Sequence, residues 1–155
     1  MRCMFCGHGK FEENKQHVLQ KAREEISKLI ESGVKEFWSG GMGAFDEEYE
    51  HMIREMKKSK PRLQLYYVSP SLPSFRQYSR RDYDGLICPG HKVPYYKAAI
   101  PMRNQWMVDR CDFCLSYVVR PFGGAYKTLS YAKQKQHIRS IDICLLYTSD
   151  AADEL

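Results

Sequence analysis

Two glycine clusters constrain this chain more than anything else in it. The first reads Ser39-Gly40-Gly41-Met42-Gly43-Ala44-Phe45-Asp46, the second Pro121-Phe122-Gly123-Gly124-Ala125-Tyr126-Lys127. Each follows a short apolar run with the character of a strand, and each opens a segment with helical spacing. A strand, a glycine-rich turn and a helix N-terminus bring several backbone N–H groups around one point. The helix dipole adds partial positive charge there, so the point suits a phosphate or another anion. A Cβ would block both the tight turn and the close approach of a ligand. Two such turns in one small chain predict a nucleotide-like ligand at the carboxyl edge of a parallel sheet.

The rest of the pattern agrees with such a sheet. Arg2 to Cys6 reads as a first strand, ended by Gly7-His8-Gly9. Val18, Leu19, Ala22, Ile26, Leu29 and Ile30 share one helical face, and Gly33 stands where a C-cap belongs. Val34 to Trp38 is a second strand leading into the first glycine cluster. Phe45, Tyr49, Met52, Ile53 and Met56 define a second helix, stopped before Pro61, and Leu63 to Val68 is a third strand. Residues 69–99 read as irregular, because Pro70, Pro73, Pro89 and Pro94 break any long element. A loop of that length is a candidate lid or binding loop. Ile100 to Arg110 forms a short helix, Phe113 to Val119 a buried strand, Ala125, Leu129 and Ala132 one face of a further helix, and Ile138 to Ile143 a last strand. The alternation predicts an α/β fold with a mainly parallel central sheet and helices on both faces. Ligands of such sheets bind outside the carboxyl ends of the strands, where both glycine clusters and His8 fall.

A chain of 155 residues is expected to form one domain, large enough to bury a core without staples. Its last twelve residues, Cys144 to Leu155, read like an adapter sequence translated in frame. Residues 1–143 are therefore expected to be the domain and 144–155 a non-native tail. Without Asp150, Asp153 and Glu154 the acidic count falls from 19 to 16 and the net charge rises from +5 to +8. No apolar run is long enough to span a membrane, and the first residues lack the basic-then-apolar pattern of a leader, so the expected compartment is the cytoplasm. The basic residues form only short clusters, Lys57-Lys58-Ser59-Lys60 and Arg80-Arg81, which read as solvated surface rather than a nucleic-acid stripe. A modest positive balance suits a small phosphorylated ligand.

Three pairs, Cys3/Cys6, Cys88/His91 and Cys111/Cys114, have the spacing of metal ligands. On a strand, however, positions three apart face opposite sides, and free cysteine is commonly a small buried hydrophobe. Neither a metal nor a cofactor is expected, and a cytoplasmic chain is not expected to carry disulfides. His8 either faces a ligand or serves the turn. Asp46 either caps the second helix or contacts a ribose hydroxyl. Arg103, beside Asn104 at a helix start and near both glycine turns, is read as pairing with an anion or an acidic side chain. Trp106 and Met107 read as core. Tyr66-Tyr67, Tyr95-Tyr96 and Tyr126 read as half-buried sheet and loop residues rather than a base pocket. The candidate ligand-binding set is Gly7, His8, Ser39, Gly40, Gly41, Gly43, Asp46, Arg103, Asn104, Gly123 and Gly124.

These residues carry a resemblance. Phe5-Cys6-Gly7-His8, Gly40-Gly41-Met42-Gly43-Ala44-Phe45-Asp46, Arg103-Asn104-Gln105-Trp106-Met107-Val108, and Asp112 to Val119 followed by Gly123-Gly124-Ala125 resemble the SLOG superfamily. That group includes the LOG cytokinin-activating hydrolases and the DprA proteins, and the branch most similar to this chain is that of the YpsA/YoqJ-like bacterial and prophage proteins. The resemblance runs from Arg2 to about Ile143 and implies a Rossmann-like three-layer α/β/α fold. LOG enzymes cleave the N-glycosidic bond of a nucleoside monophosphate. Their spacing of Arg, Met and Asp is kept by Arg103, Met107 and Asp112. In their second motif Gly123-Gly124 match, but Phe122 separates them from Pro121. Tyr126 and Lys127 replace a Gly and a Thr, and Ser130 stands where the catalytic Glu belongs. The resemblance thus implies binding or sensing of a nucleotide or nucleotide-derived ligand. An N-glycosidase is the alternative, and a DprA-type DNA-binding protein a weaker one, since no basic stripe is interleaved with aromatics. A homo-oligomer is compatible with each.

Overall fold

The computed structural model describes residues 1–8, 15–70 and 82–143; the proposed tail and most of the Pro70–Arg81 stretch lie outside the described residues. The elements run β1 (Arg2–Gly7), α1 (Lys15–Glu31), β2 (Glu36–Ser39), α2 (Ala44–Ser59), β3 (Gln64–Val68), β4 (Gly85–Ile87), α3 (Ala99–Arg110), β5 (Phe113–Tyr117), α4 (Gly124–Lys133) and β6 (Arg139–Asp142). The six strands form one sheet in the order β4-β3-β2-β1-β5-β6, and every neighbouring pair is parallel. The chain therefore builds outward from β1 through β4, then crosses back and continues on the other side of β1. Right-handed crossovers in both directions put α1 and α2 on one face and α3 and α4 on the other, which completes the three-layer Rossmann-like arrangement.

Strand alternation divides the core accordingly. Cys3 and Phe5 of β1, Phe37 of β2, Leu65 of β3 and Leu115 and Tyr117 of β5 pack with Val18, Ala22, Ile26 and Leu29 of α1 and Phe45, Tyr49, Met52 and Ile53 of α2. Met4, Cys6, Trp38, Val68 and Cys114 point the other way, onto Met107 and Val108 of α3 and Leu129 and Ala132 of α4. Each such aliphatic or aromatic side chain contributes about 1.5–3 kcal/mol on full burial. Cys3 and Cys6 belong to opposite cores, as the strand period requires. Cys3, Cys6, Cys111 and Cys114 are buried free thiols, and Cys88 is an exposed one. Among the described residues no three His, Cys, Asp or Glu side chains gather as metal ligands do, and no helix is long and apolar enough to cross a membrane.

Helix α1 ends as its glycine predicts. Gly33 has φ +108, its N–H donates to the Ile30 carbonyl at 3.1 Å, and the Val34 N–H donates to Leu29 at 3.0 Å. This is the left-handed stop for which glycine is preferred. The stretch read as irregular departs from expectation in one respect. It contains β4, an edge strand of only three half-buried residues that pairs with Tyr66, Tyr67 and Val68. Three residues, the first of them a glycine, are too few to show a period. The Asp84 carboxylate holds the strand in place by accepting the Leu65 N–H at 2.8 Å and pairing with Lys57. The helix after this stretch begins at Ala99, so Arg103 and Asn104 lie in its second turn rather than at its start.

At the end of β1 the backbone passes so close to α2 that a Cβ on Gly7 would fall 2.0 Å from the Phe45 ring. Gly7→Ala should therefore cost about 1–3 kcal/mol through overpacking. Denaturant unfolding of the variant checks this; a midpoint equal to that of the wild type would mean that β1 and α2 are not in contact there.

Candidate functional site

The reversal of chain direction leaves a crevice between the carboxyl ends of β1 and β5, the place where open parallel sheets bind ligands. A cavity of about 390 Å³ occupies it, within the range of small-ligand sites. Of the residues singled out by sequence, Gly7, His8, Gly40, Asp46, Arg103, Asn104, Gly123 and Gly124 line this cavity, although they come from four separate stretches of chain. Ser39, Gly41 and Gly43 do not line it. They shape the loop that does: the Gly41 N–H donates to Ser39 Oγ at 3.1 Å, and Ser39 Oγ donates to the buried Glu50 carboxylate at 2.7 Å. Gly41 at φ +65 and Gly43 at φ +92 adopt left-handed backbone that a side chain would strain.

Helices α2 and α4 start in the same way. Gly43 has φ 92 and ψ 177, Gly123 has φ 93 and ψ 177, and neither helix has a side-chain hydrogen bond at its N-cap. The first-turn N–H groups of a helix lack intrahelical partners, so both ends carry partial positive charge. Electrostatically the two differ. The first turn of α2 holds Asp46 and Glu47, whereas that of α4 holds no acid.

Asp46 is the third residue of α2, inside the helix rather than at its cap. Its Oδ2 accepts the Met42 N–H at 2.8 Å, which closes the glycine loop over the helix start. Its Oδ1 is buried and has no hydrogen-bond partner. Burial lifts the carboxyl to about 7, against the Met42 hydrogen bond and the charge of Arg103, which both pull it down. Asp46 is the only carboxylate among the described residues that line the cavity.

Arg103 is 2% exposed. Its Nη1 donates to the Gly40 carbonyl at 3.1 Å and the Val68 carbonyl at 2.9 Å, and its Nε donates to Asn104 Oδ1 at 2.8 Å. It thus ties the ends of β2 and β3 to α3. Burial lowers its pKa, and the nearby Asp46 carboxylate opposes that shift. A Cβ on Gly40 would lie 2.7 Å from the guanidinium, so glycine is needed there to admit the arginine. The sequence reading of Arg103 as an anion or carboxylate partner did not foresee these backbone acceptors. His8 is likewise a brace. Its N–H donates to the Tyr117 carbonyl, and its Nε2 accepts the Arg120 N–H, each at 3.1 Å, joining the ends of β1 and β5. That acceptor role requires Nε2 to be unprotonated.

Sequence reasoning missed several lining residues: Met42, Ile100, Arg120, Phe122 and Thr128 among them. Met42, Ile100 and Phe122 are exposed apolar side chains at the mouth. Arg120 lies over the Phe122 ring, 5.5 Å from its centroid. The available signal was an arginine and a phenylalanine directly before Gly123. Thr128 shares a face of α4 with Gly124, to whose carbonyl its Oγ1 donates at 2.9 Å. Ser130 does not line the cavity.

Because the folded pKa of Asp46 lies above the roughly 3.9 of an unfolded chain, its contribution to stability is present below about pH 4 and is lost as pH rises to about 7. In the unliganded protein the loss can reach about 4 kcal/mol, and Asp46→Asn should remove it. Urea unfolding of both proteins at pH 4, 6 and 8 should show wild-type stability falling relative to the variant. Parallel curves would mean that Asp46 ionises like an exposed acid.

No protein-family model matches the chain, and no curated protein matches it in sequence. Solved structures do. DNA processing protein A from Helicobacter pylori, described for its mode of binding single-stranded DNA, is similar over 92% of this chain and 64% of its own, with a TM-score of 0.61 at 16% identity. DprA from Streptococcus pneumoniae is similar over 96% and 56%, with a TM-score of 0.64 at 13% identity. TM1055, a structural-genomics target, is similar over 84% and 67%, with a TM-score of 0.53 at 14% identity. The chain therefore spans well under the full length of both DNA-processing proteins. At these identities the likeness establishes the fold: this chain has the Rossmann-like fold shared by the DprA proteins, in keeping with the SLOG resemblance.

Proposed function

We propose that residues 1–143 form a nucleotide-binding domain of the SLOG type, close to its YpsA/YoqJ branch, that acts in the cytoplasm. It takes the phosphate of a nucleotide or nucleotide-derived ligand at the start of α4. One observation carries the reading: a glycine-capped helix N-terminus with no acid in its first turn opens into a cavity at the strand switch. Arg120 lines the same end and adds positive charge. Binding or sensing, rather than glycosidic cleavage, fits the position of Ser130 outside the cavity. A second reading is favoured by the likeness to the Helicobacter pylori protein: the same helix start would hold a backbone phosphate of single-stranded DNA.

Gly124 supplies the test. A Cβ built on it meets nothing within 4 Å, so a side chain there points into open space and should leave the fold intact. Gly124→Val should unfold at the wild-type midpoint yet bind ribonucleoside 5′-monophosphates at least about tenfold more weakly, a loss of about 1.4 kcal/mol. Affinity for the unphosphorylated nucleosides should change less than about twofold on the same scale. Calorimetric titration reads both. Unchanged nucleotide affinity in the folded variant would overturn the phosphate assignment. Tighter binding of an oligodeoxynucleotide than of any mononucleotide would favour the second reading.

Arg103→Ala separates bracing from ligand contact. It leaves the Gly40 and Val68 carbonyls without their donor, and an unsatisfied buried group costs about 1–3 kcal/mol. Thermal unfolding without ligand should show that loss. An unchanged midpoint would leave ligand binding as the role of Arg103.

A further inference from the structure

Phe122 is 61% exposed, and it lines the cavity. Both ends of its short loop are pinned. At one end the Arg120 N–H donates to His8 Nε2 at 3.1 Å; at the other Gly123 opens α4, its carbonyl accepting the Lys127 N–H at 3.0 Å. The guanidinium of Arg120 lies over the ring, 5.5 Å from its centroid, and steadies it by a cation–π contact. An aromatic ring that is accessible and already held in place binds at little cost in ordering. Two other exposed apolar side chains, Met42 from the first glycine cluster and Ile100 from the first turn of α3, line the same cavity. Accessible apolar surface gathered in a concave site is what small-ligand pockets use for their flat or apolar groups.

The charge beside the ring decides what covers it. Arg120 lines the cavity, and α4 starts without an acid in its first turn, so this end favours an anion. Gly124, where the phosphate is placed above, is two residues from Phe122, and two residues of chain span at most about 7 Å. The ligand must then carry an anionic group and a flat group within that reach. A mononucleotide, with one sugar between phosphate and base, does so; a bare sugar phosphate has no flat group to offer. Resting on the nucleotide reading of this cavity, we propose that Phe122 is the platform on which the base of the ligand stacks, and that it makes the site select nucleotides over sugar phosphates. Stacking uses the π-face that every base has, so the contact works with any of them.

The test titrates the full chain with the four ribonucleoside 5′-monophosphates and with ribose 5-phosphate. The wild type should bind its best nucleotide about tenfold or more tighter than the sugar phosphate. In Phe122→Ala the affinity for that nucleotide should fall about tenfold, while the affinity for ribose 5-phosphate changes less than about twofold. Phe122→Trp keeps an aromatic face and should hold the nucleotide within about threefold of the wild type. Because the side chain is exposed, both variants should unfold at the wild-type midpoint. Three results would overturn the proposal and leave the phosphate assignment standing. One is equal wild-type affinity for nucleotide and sugar phosphate. Another is unchanged nucleotide affinity in Phe122→Ala. The third is an equal loss for both ligands in that variant, which would make Phe122 a residue that shapes the phosphate loop. Failure of the wild type to bind any of the five ligands would overturn the nucleotide reading and the stacking together.

Discussion

A right-handed crossover can place its helix on only one face of a sheet for a given direction of travel, and this handedness organises the whole molecule. The chain winds outward from β1 to β4 and then starts again beside β1 with β5. Reversing direction moves the later helices to the opposite face, which is why the core falls into two separate clusters. The reversal also leaves no crossover spanning the carboxyl ends of β1 and β5. The crevice there is a by-product of connectivity, and the loops that surround it are free to carry chemistry.

What turns the crevice into a defined site is a set of braces made largely to backbone. Arg103 binds two carbonyls at the ends of β2 and β3, His8 accepts an N–H from the β5 side, and Asp46 holds the Met42 N–H. Each joins segments that the sheet alone would leave to diverge beyond its hydrogen-bonded edge. Each also leaves part of its side chain at the cavity wall, so positioning and recognition share the same residues. Glycine makes the arrangement fit: Gly7 admits the Phe45 ring and Gly40 admits the guanidinium, at distances no side chain could accommodate.

The layered architecture was legible because its signals are periodic or local. Helical spacing in α1 and α2, the short apolar run of β1, the glycine stop at Gly33 and the two glycine clusters each reflect a short-range rule. β4 escaped because three residues hold no period. In the site, the sequence pointed to the loops but less clearly to the role of each side chain. The acceptors of Arg103 are main-chain carbonyls 63 and 35 positions away, and a carbonyl carries no mark in the sequence. Asp46 was balanced between cap and ligand contact; in the structure one oxygen holds the loop by accepting the Met42 N–H, and the other is buried without a partner. Arg120, Phe122 and Thr128 became visible only once the register of α4 and the path after β5 were known.

The central position of β1 has a consequence for how the chain comes into being. β1 is made before β2 and can pair with it early, but its other neighbour, β5, begins about 110 positions later, Cys3 lying opposite Phe113. Until β5, α3 and α4 emerge, Met4, Cys6, Trp38 and Val68 form an apolar face with nothing to cover it, and one edge of β1 stays open. Contacts so distant in sequence form slowly, and an uncovered strand edge invites pairing with other chains. The half-made protein is therefore the form most exposed to aggregation, and the cavity, which needs both sides of β1, is among the last features to form.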